Sequence, residues 1–156
     1  MPTYHHEPVS IIERPDFVPM VGDPDDHRPN TSWAIVVDPV RADGPYVPDL
    51  LVVLEQIASG DRIPLHTHPH DEAIVIAHGR AGVRLGDHDR IVGENAVAMI
   101  PKGVPHSIRA IDGAVRINAF FPTTRIGIAY LERNPAPGTE GQVPAPPYEI
   151  DVRGAS

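Results

Sequence analysis

Short stretches in which apolar and polar residues alternate recur along the middle of this chain, and this period of two predicts β-strands. The predicted strands cover residues 50–57, 63–68, 72–77, 81–85, 90–92, 96–100, 106–110 and 115–121, with one more at 33–37. Residues 86–89 read as a hairpin turn. No long stretch has helical periodicity, although residues 126–133 are expected to form one short helical turn. The pattern therefore predicts an all-β barrel.

Proline divides the chain into a central region and two irregular ends. Of 19 prolines, nine fall in residues 1–48 and five in residues 135–147. Residues 1–48 are expected to form an extended N-terminal arm that includes the first strand, and residues 134–156 a Pro-rich tail. Residues 49–133 would form the barrel core. With no internal repeat in 156 residues, these parts belong to one domain.

Composition excludes several classes of protein. The formal net charge is −8 and Lys102 is the single lysine, so no basic cluster is available for nucleic acid. No apolar run approaches the ~20 residues of a membrane span, and the N-terminus has no signal-peptide pattern. The chain has no cysteine, which rules out disulfides and thiolate metal ligands. The expectation is a cytoplasmic protein without membrane or nucleic-acid partners.

Histidines at close spacing provide candidate metal ligands. His66 and His68 are two apart, so both side chains point to the same face of a strand. Glu72 follows after a short break at 69–71 and opens the next apolar run. His106 restarts a strand after a Pro-x-Gly turn at 101–103. Three imidazoles and one carboxylate suit a single divalent ion, whether Fe(II), Mn(II), Ni(II), Co(II) or Zn(II).

The other histidines of this region receive the more ordinary interpretation. His70, His78 and His88 lie near predicted strand ends, where a lone histidine is usually structural or faces solvent. The competing interpretation of the ligand set is a barrel that no longer binds metal. That loss would be expected to remove at least one ligand, whereas His66, His68, Glu72 and His106 are all present.

These residues resemble the two motifs of the cupin superfamily, and the resemblance covers roughly residues 50–122. The first motif places a glycine, His-x-His, a glutamate and a second glycine at defined spacings, and Gly60 and Gly79 complete the match here. The second motif fits at Pro101, Gly103 and His106. It departs at Asn95, where a glycine is expected, and at Ala110, where an asparagine is expected. Asparagine tolerates left-handed backbone, so the turn at Asn95 can survive.

The resemblance implies a cupin-type double-stranded β-helix barrel, or jelly roll, with the four ligands inside. Proteins of this superfamily act as dioxygenases, isomerases, lyases, decarboxylases and cyclases, and some only bind ligands. Lyases of sulfonium propionates carry a tyrosine two residues after the motif glutamate. Ile74 occupies that position here, which makes that branch less favoured.

Strand parity yields candidates for the lining of a substrate pocket. They are Gln56, Ile74, Ile76, Met99, Ile108, Asn118 and Phe120. Parity leaves alternatives open in three places: Glu55 or Gln56, Met99 or Ile100, and Phe120 or Phe121. A mostly apolar pocket with a cationic centre favours a small, partly apolar organic anion, diketone or phenol.

The sequence thus predicts a metal-dependent enzyme, with a dioxygenase-type oxidoreductase as the leading hypothesis and no catalytic residue assigned. The alternatives are a non-redox isomerase, lyase or cyclase, and a barrel that binds a small ligand without turnover. A homodimer is also expected. The arm around residues 9–12 is apolar and has no evident place in its own barrel, so it is predicted to pack on a neighbouring subunit.

Overall fold

The computed structural model describes residues 10–39 and 47–151, which form ten strands and no helix. The strands are β1 (Val18–Met20), β2 (Arg28–Val37), β3 (Leu51–Ile57), β4 (Arg62–Thr67), β5 (Glu72–Leu85), β6 (His88–Val92), β7 (Val97–Ile100), β8 (His106–Phe121), β9 (Arg125–Tyr130) and β10 (Tyr148–Asp151). The described residues contain no helix long and apolar enough to cross a membrane.

The strands form one antiparallel sheet in which β8 is central. Along one path the order is β1-β2-β3-β8-β4-β9-β10, and β5 pairs with β6, β7 and β8. The second half of β8 lies between β3 and β5, whereas its first half lies between β4 and β5. Because one long strand serves three neighbours, the sheet curls around a single interior. This is the barrel that the pattern predicted.

Two long strands replace four short predicted ones. β5 runs through the expected break at residues 78–80, and β8 runs through 111–114. The breaks survive as irregularities, because β5 has register shifts around His78 and Gly79 has a φ of 89°. A Cβ at Gly79 would lie 2.6 Å from the carbonyl oxygen of Ala114. The glycine therefore allows β5 and β8 to stay paired at the bend.

The core lies on the inner faces of β3, β5 and β8, and it follows the period of two. Inward residues of β3 and β8 alternate with outward ones, and the inward set is almost fully buried. The buried apolar residues are Leu51, Val53, Ile57, Ile74, Ile76, Ala81, Ile100, Ile108, Val115, Ile117, Ala119, Phe121 and Ile126. β-Branched side chains dominate, as expected for strands that pack on one face.

Two predictions for the ends of the chain need correction. Residues 126–133 do not form a helical turn, because Arg125–Tyr130 is strand β9, which pairs with β4 and β10. Residues 135–147 contain no strand, as predicted for this part of the tail, and strand β10 (Tyr148–Asp151) follows them. The arm contains two strands, and β2 begins at Arg28, five residues earlier than predicted. Residue 9, part of the predicted dimer contact, lies outside the described residues.

Asn95 adopts the left-handed conformation that its motif position requires, with a φ of 71°. Its backbone N–H donates to the Ile76 carbonyl, and the Ile76 N–H donates to the Ala96 carbonyl, each at 2.9 Å. The prediction that asparagine can replace glycine in this turn is therefore confirmed.

Candidate metal centre

Three strands bring the four candidate ligands together. His66 lies on β4, His68 directly follows it, Glu72 opens β5 and His106 opens β8. All four side chains are buried, and one potential ligand atom from each lies within 4.8 Å of the others. Among the described residues, they form the group whose geometry suits a metal ion.

A bulge in β4 puts His66 on the inner face. Ile63 pairs with Ile108 and His66 pairs with His106, so three steps along β4 match two steps along β8. In a regular strand, a side chain three residues after Ile63 would point to the opposite face. The extra residue of the bulge returns the His66 side chain to the inner face. Pro64 lies inside this bulge, where the missing N–H costs no ladder hydrogen bond.

Each imidazole is oriented by a backbone carbonyl. Nδ1 of His66 lies 2.7 Å from the Pro64 oxygen, and Nδ1 of His68 lies 2.6 Å from the Gly127 oxygen. Nδ1 of His106 lies 2.9 Å from the Val104 oxygen. Because a carbonyl oxygen only accepts, the proton in each ring belongs on Nδ1. In the neutral rings, Nε2 therefore carries a lone pair, which is the arrangement a metal ligand needs.

The lone pairs converge without donors between them. Nε2 of His66 lies 3.1 Å from Nε2 of His68. Glu72 Oε1 lies 2.9 Å from His106 Nε2 and 3.4 Å from His68 Nε2. Among the described residues, Glu72 Oε1 and His106 Nε2 are buried atoms with no hydrogen-bond partner. Buried acceptors that face one another are unfavourable unless a cation lies between them, so these residues fit a divalent metal.

Burial keeps the imidazoles of His66 and His68 neutral. Burial lowers the pKa of His66 well below its usual value, and the neighbouring rings of His106 and His68 lower it further. Burial is also the main reason that the pKa of His68 falls to about 4, against the opposing effect of Glu72. Neutral rings at physiological pH are available as ligands without first losing a proton.

The four residues open on a cavity of about 700 Å³ with mostly apolar walls. Of the predicted lining residues, Ile74 and Ile108 do line it. Four other predicted residues lie on the expected strands but on the wrong face, and they do not line this cavity. They are Gln56, Met99, Asn118 and Phe120. Ile76 is fully buried and lines a smaller cavity instead. The inward alternatives are Glu55, which lines the cavity, and Phe121 in place of Phe120.

Glu55 belongs to a buried ionic group at the cavity wall. Arg28 binds Asp26 through both Nε (2.7 Å) and Nη2 (2.8 Å), and its Nη1 lies 2.6 Å from Glu55 Oε1. Burial raises the pKa of Glu55, the positive charge of Arg28 opposes the rise, and Asp26 adds to it. Arg28 and Asp26 were not among the residues predicted from the sequence. A weak signal existed, since an arginine and an aspartate flank the start of β2.

Segments from both ends of the chain cover another part of the cavity. Tyr130 on β9 lies beside His66, with ring centroids 6.0 Å apart, and beside Tyr148 of β10, at 6.4 Å. The Tyr148 hydroxyl donates to Asp23. Arg133 binds Asp25 at 2.5 Å, and the N–H of Ala145 donates to the same carboxylate. These contacts hold the segment before β2 against the tail, and Asp23, Asp25 and Tyr148 all line the cavity.

The remaining histidines of the region are not ligands. His70 stacks on His68 with ring centroids 5.0 Å apart, and its Nε2 accepts the Gly127 N–H at 3.3 Å. His78 is exposed and pairs with Glu94 at 3.0 Å. His88 is exposed. All three agree with the ordinary interpretation of such residues.

Comparison with known proteins identifies the class. Residues 53–118 match the family model described as the cupin domain. This segment of the chain is a cupin domain, and the resemblance seen in the two motifs is confirmed. No curated protein matches the sequence.

Several solved structures share the fold. KdgF from Halomonas sp. is 21% identical over 69% of this chain and 86% of its own, with a TM-score of 0.54. Salicylate 1,2-dioxygenase from Pseudoaminobacter salicylatoxidans is 16% identical over 60% of this chain and 25% of its own, at 0.54. Oxalate decarboxylase from Bacillus subtilis, which has Mn(II) centres, is 18% identical over 65% and 28%, at 0.54. At such identities the likeness shows the fold alone, and this chain spans about a quarter of the last two proteins.

Proposed function

We propose that this protein is a metal-dependent enzyme of the dioxygenase type that acts on a small, partly apolar organic anion, diketone or phenol. The observation that carries the proposal is the convergence of three Nε2 lone pairs and the Glu72 carboxylate, within 4.8 Å, at the wall of an apolar cavity of about 700 Å³. A small aromatic or dicarbonyl molecule fits that volume.

His66, His68, Glu72 and His106 would hold one divalent ion, and Fe(II), Mn(II), Ni(II), Co(II) and Zn(II) all suit the donors. Such an ion supplies Lewis acidity and, except for zinc, redox chemistry. Three neutral imidazoles and one carboxylate leave a net charge near +1 on the occupied site. In a cavity of low dielectric this charge favours an anionic ligand over a neutral sugar.

The chain's own side chains provide the rest of the environment. Ile74, Ile108 and Ile117 line the cavity beside the ligand cluster, and Phe121 packs its ring edge-on against His68 at 5.3 Å. These groups offer no hydrogen bonds to water. They would therefore exclude solvent from the reacting face of a bound molecule and strengthen its electrostatic interactions there. The Mn(II)-containing decarboxylase and the salicylate dioxygenase are compatible precedents for the fold.

One observation favours the non-redox alternative, an isomerase, lyase or cyclase. Glu55 is a buried carboxyl group at the cavity wall with a raised pKa. Such a group is suited to proton transfer, which an enolate mechanism requires and oxygen activation alone does not. A barrel that only binds its ligand would need no such residue.

Metal exchange tests the proposal. The protein is prepared with Fe(II), Mn(II) or Zn(II), and a panel of small phenols, diketones and aromatic carboxylates is screened with an oxygen electrode and by mass spectrometry. The dioxygenase proposal expects the Fe(II) or Mn(II) form to consume oxygen in step with substrate, while the Zn(II) form is inactive. Equal turnover by the Zn(II) form under anaerobic conditions would establish the non-redox alternative instead.

A homodimer remains part of the proposal. The outer face of the sheet carries an apolar row in register across five strands: Val36, Val52, Phe120, Ala73 and Met99. Met99 is 69% exposed and Phe120 is 37% exposed. Ile11 in the arm is 79% exposed. Contiguous apolar surface of this kind supports burial against a second copy of the chain.

A further inference from the structure

We propose that Glu55 accepts the hydroxyl proton of a phenol or enol ligand in the cavity, so that the ligand binds as its anion beside the four-residue cluster. The proposal deepens the proposed function and rests on it, because it names both the protic class of ligand and the residue that receives its proton.

The first support is the position of Glu55 in the sheet. β3 alternates strictly, and Val53, Glu55 and Ile57 form its buried inner face. Glu55 pairs with Trp33 on β2 and with Ile117 on β8, both of which also line the cavity. A carboxylate at a position that otherwise demands an apolar residue costs stability. A glutamate in this place therefore calls for an explanation beyond folding.

The second support is the incomplete set of partners around this carboxylate. Asp26 already engages Arg28 through two parallel hydrogen bonds. The remaining Nη1 forms an ion pair with Glu55 Oε1 at 2.6 Å, so this oxygen already has a partner. The other oxygen of Glu55 accepts no hydrogen bond from the residues at 10–39 and 47–151. A buried carboxylate that retains an unused acceptor at a cavity wall can receive a donor from a ligand.

The third support is the balance of charge around Glu55. Arg28 and Asp26 offset each other, so an ionised Glu55 leaves the buried group with one net negative charge. Uptake of one proton by Glu55 removes the imbalance. Because its pKa is raised, Glu55 is also a stronger base than an exposed glutamate, which suits it better to a phenolic proton.

The step is a simple proton transfer. The O–H bond of the ligand breaks, the proton passes to a carboxylate oxygen of Glu55, and the electron pair stays on the ligand oxygen. The ligand becomes an anion and Glu55 becomes neutral, so the total charge in the cavity is unchanged. No oxidant or further reactant is needed. In an oxygenase, this step would prepare the bound anion before oxygen is activated.

The experiment uses 4-nitrocatechol, whose protonation states differ in colour, with the Zn(II)-loaded protein, in which redox chemistry is absent. Spectra of the bound probe are recorded against pH for the wild type, Glu55→Gln, Glu55→Asp and the control Gln56→Ala. Gln56 neighbours Glu55 but is exposed and does not line the cavity. Zinc content is measured for every variant. Protons released on binding to the wild type are counted by calorimetry in buffers of different ionisation enthalpy.

The wild type and Gln56→Ala are expected to bind the deprotonated probe at neutral pH. In Glu55→Gln the midpoint of deprotonation should rise by about 1 pH unit or more, at unchanged zinc content, and Glu55→Asp should restore part of the shift. The wild type should release one proton fewer to the buffer than the probe loses. That count does not depend on the variant folding.

Three results would separate the possible failures. A wild type that binds no zinc overturns the proposed function itself. A zinc-loaded wild type that does not bind the probe overturns the protic ligand class and leaves the metal site standing. Equal midpoints in the wild type and Glu55→Gln, or release of every proton that the probe loses, overturns the role of Glu55 alone.

Discussion

Nε2 of His66 lies 3.1 Å from Nε2 of His68, while Nδ1 of each ring is held by a backbone carbonyl oxygen. The carbonyl groups belong to Pro64, inside the β4 bulge, and to Gly127 on β9. By holding Nδ1 of each ring, these two carbonyl groups bring the Nε2 lone pairs face to face. The repulsion between the two lone pairs is relieved either by a cation between them or by a proton on one ring.

Removal of a ligand should empty the metal site. His66→Ala and His106→Ala are each expected to lower bound divalent metal well below one ion per chain, because three donors hold a divalent ion less tightly than four. Elemental analysis of protein purified without added metal measures this, with His88→Ala as the exposed control. Full metal content in the His66→Ala, His106→Ala double variant would disprove the assignment.

Metal-free protein should lose stability in mild acid. The pKa of His68 is about 4 in the folded protein, below its usual 6.5, so below pH 6.5 the unfolded chain binds a proton that the folded chain does not. The contribution of His68 to the free energy of unfolding is fully present above pH 6.5 and is lost as the pH falls towards 4. This contribution is about 3 kcal/mol.

The measurement for this titration is urea unfolding of metal-free protein between pH 7.5 and 4.5. Acidic groups elsewhere also titrate there, so the informative quantity is the difference between the wild type and His68→Asn. The wild type should lose its excess stability over the variant as the pH falls, whereas His88→Asn should follow the wild type. A pH-independent difference would show that His68 is not buried in the neutral form.

Gly127 should be intolerant of a side chain. A Cβ at this position would lie 2.5 Å from Pro69 Cγ, and the Gly127 carbonyl orients His68. Gly127→Ala is therefore expected to reduce stability by about 1 to 3 kcal/mol and to weaken metal binding, since relief of the clash moves the carbonyl. Gly93→Ala is the control, because nothing lies within 4 Å of its added Cβ. Thermal unfolding and zinc titration of both variants decide the matter.

Asn95 should accept glycine but not valine. Its φ of 71° suits Asn and Gly, whereas a β-branched residue is strained there. Asn95→Val is expected to lower the free energy of unfolding by about 1 to 2 kcal/mol, and Asn95→Gly to change it little. Glu94→Val, an exposed neighbour with ordinary backbone, separates the conformational effect from that of a new surface valine. Equal losses in Asn95→Val and Glu94→Val would refute the explanation.

The dimer should depend on the apolar outer face. Val97, which is 53% exposed, lies two residues before Met99 on β7 and so shares its outer face. Val97→Glu combined with Met99→Glu is expected to give monomers at micromolar concentration by light scattering, because charges would be buried at the interface. Val143→Glu, at an exposed position of the tail, should leave the dimer intact. Deletion of residues 1–12 tests the separate contribution of the arm. A wild type that is monomeric under these conditions would contradict the proposal.

Much of the ligand set could be foreseen because its information is local. His66 and His68 share a face through strand parity, and the turns around Asn95 and Gly103 are encoded by the residues that form them. The cupin motifs record the same local constraints, which is why the fold could be predicted. The helical turn at residues 126–133 was wrong because the partners of β9, namely β4 and β10, are distant in the chain.

The amino-acid sequence alone was thus sufficient for the fold class, the approximate strands and the candidate ligands. Only the tertiary structure decided which face of each strand points inward. A period of two requires Glu55 and Gln56 to point to opposite faces of their strand, and likewise Phe120 and Phe121. It does not decide which residue of each pair points inward. The choice follows from register with neighbouring strands and from the bulge in β4. The pairing of Glu55 with Arg28 depends on the same long-range register, since these residues meet only when β2 and β3 fold into one sheet.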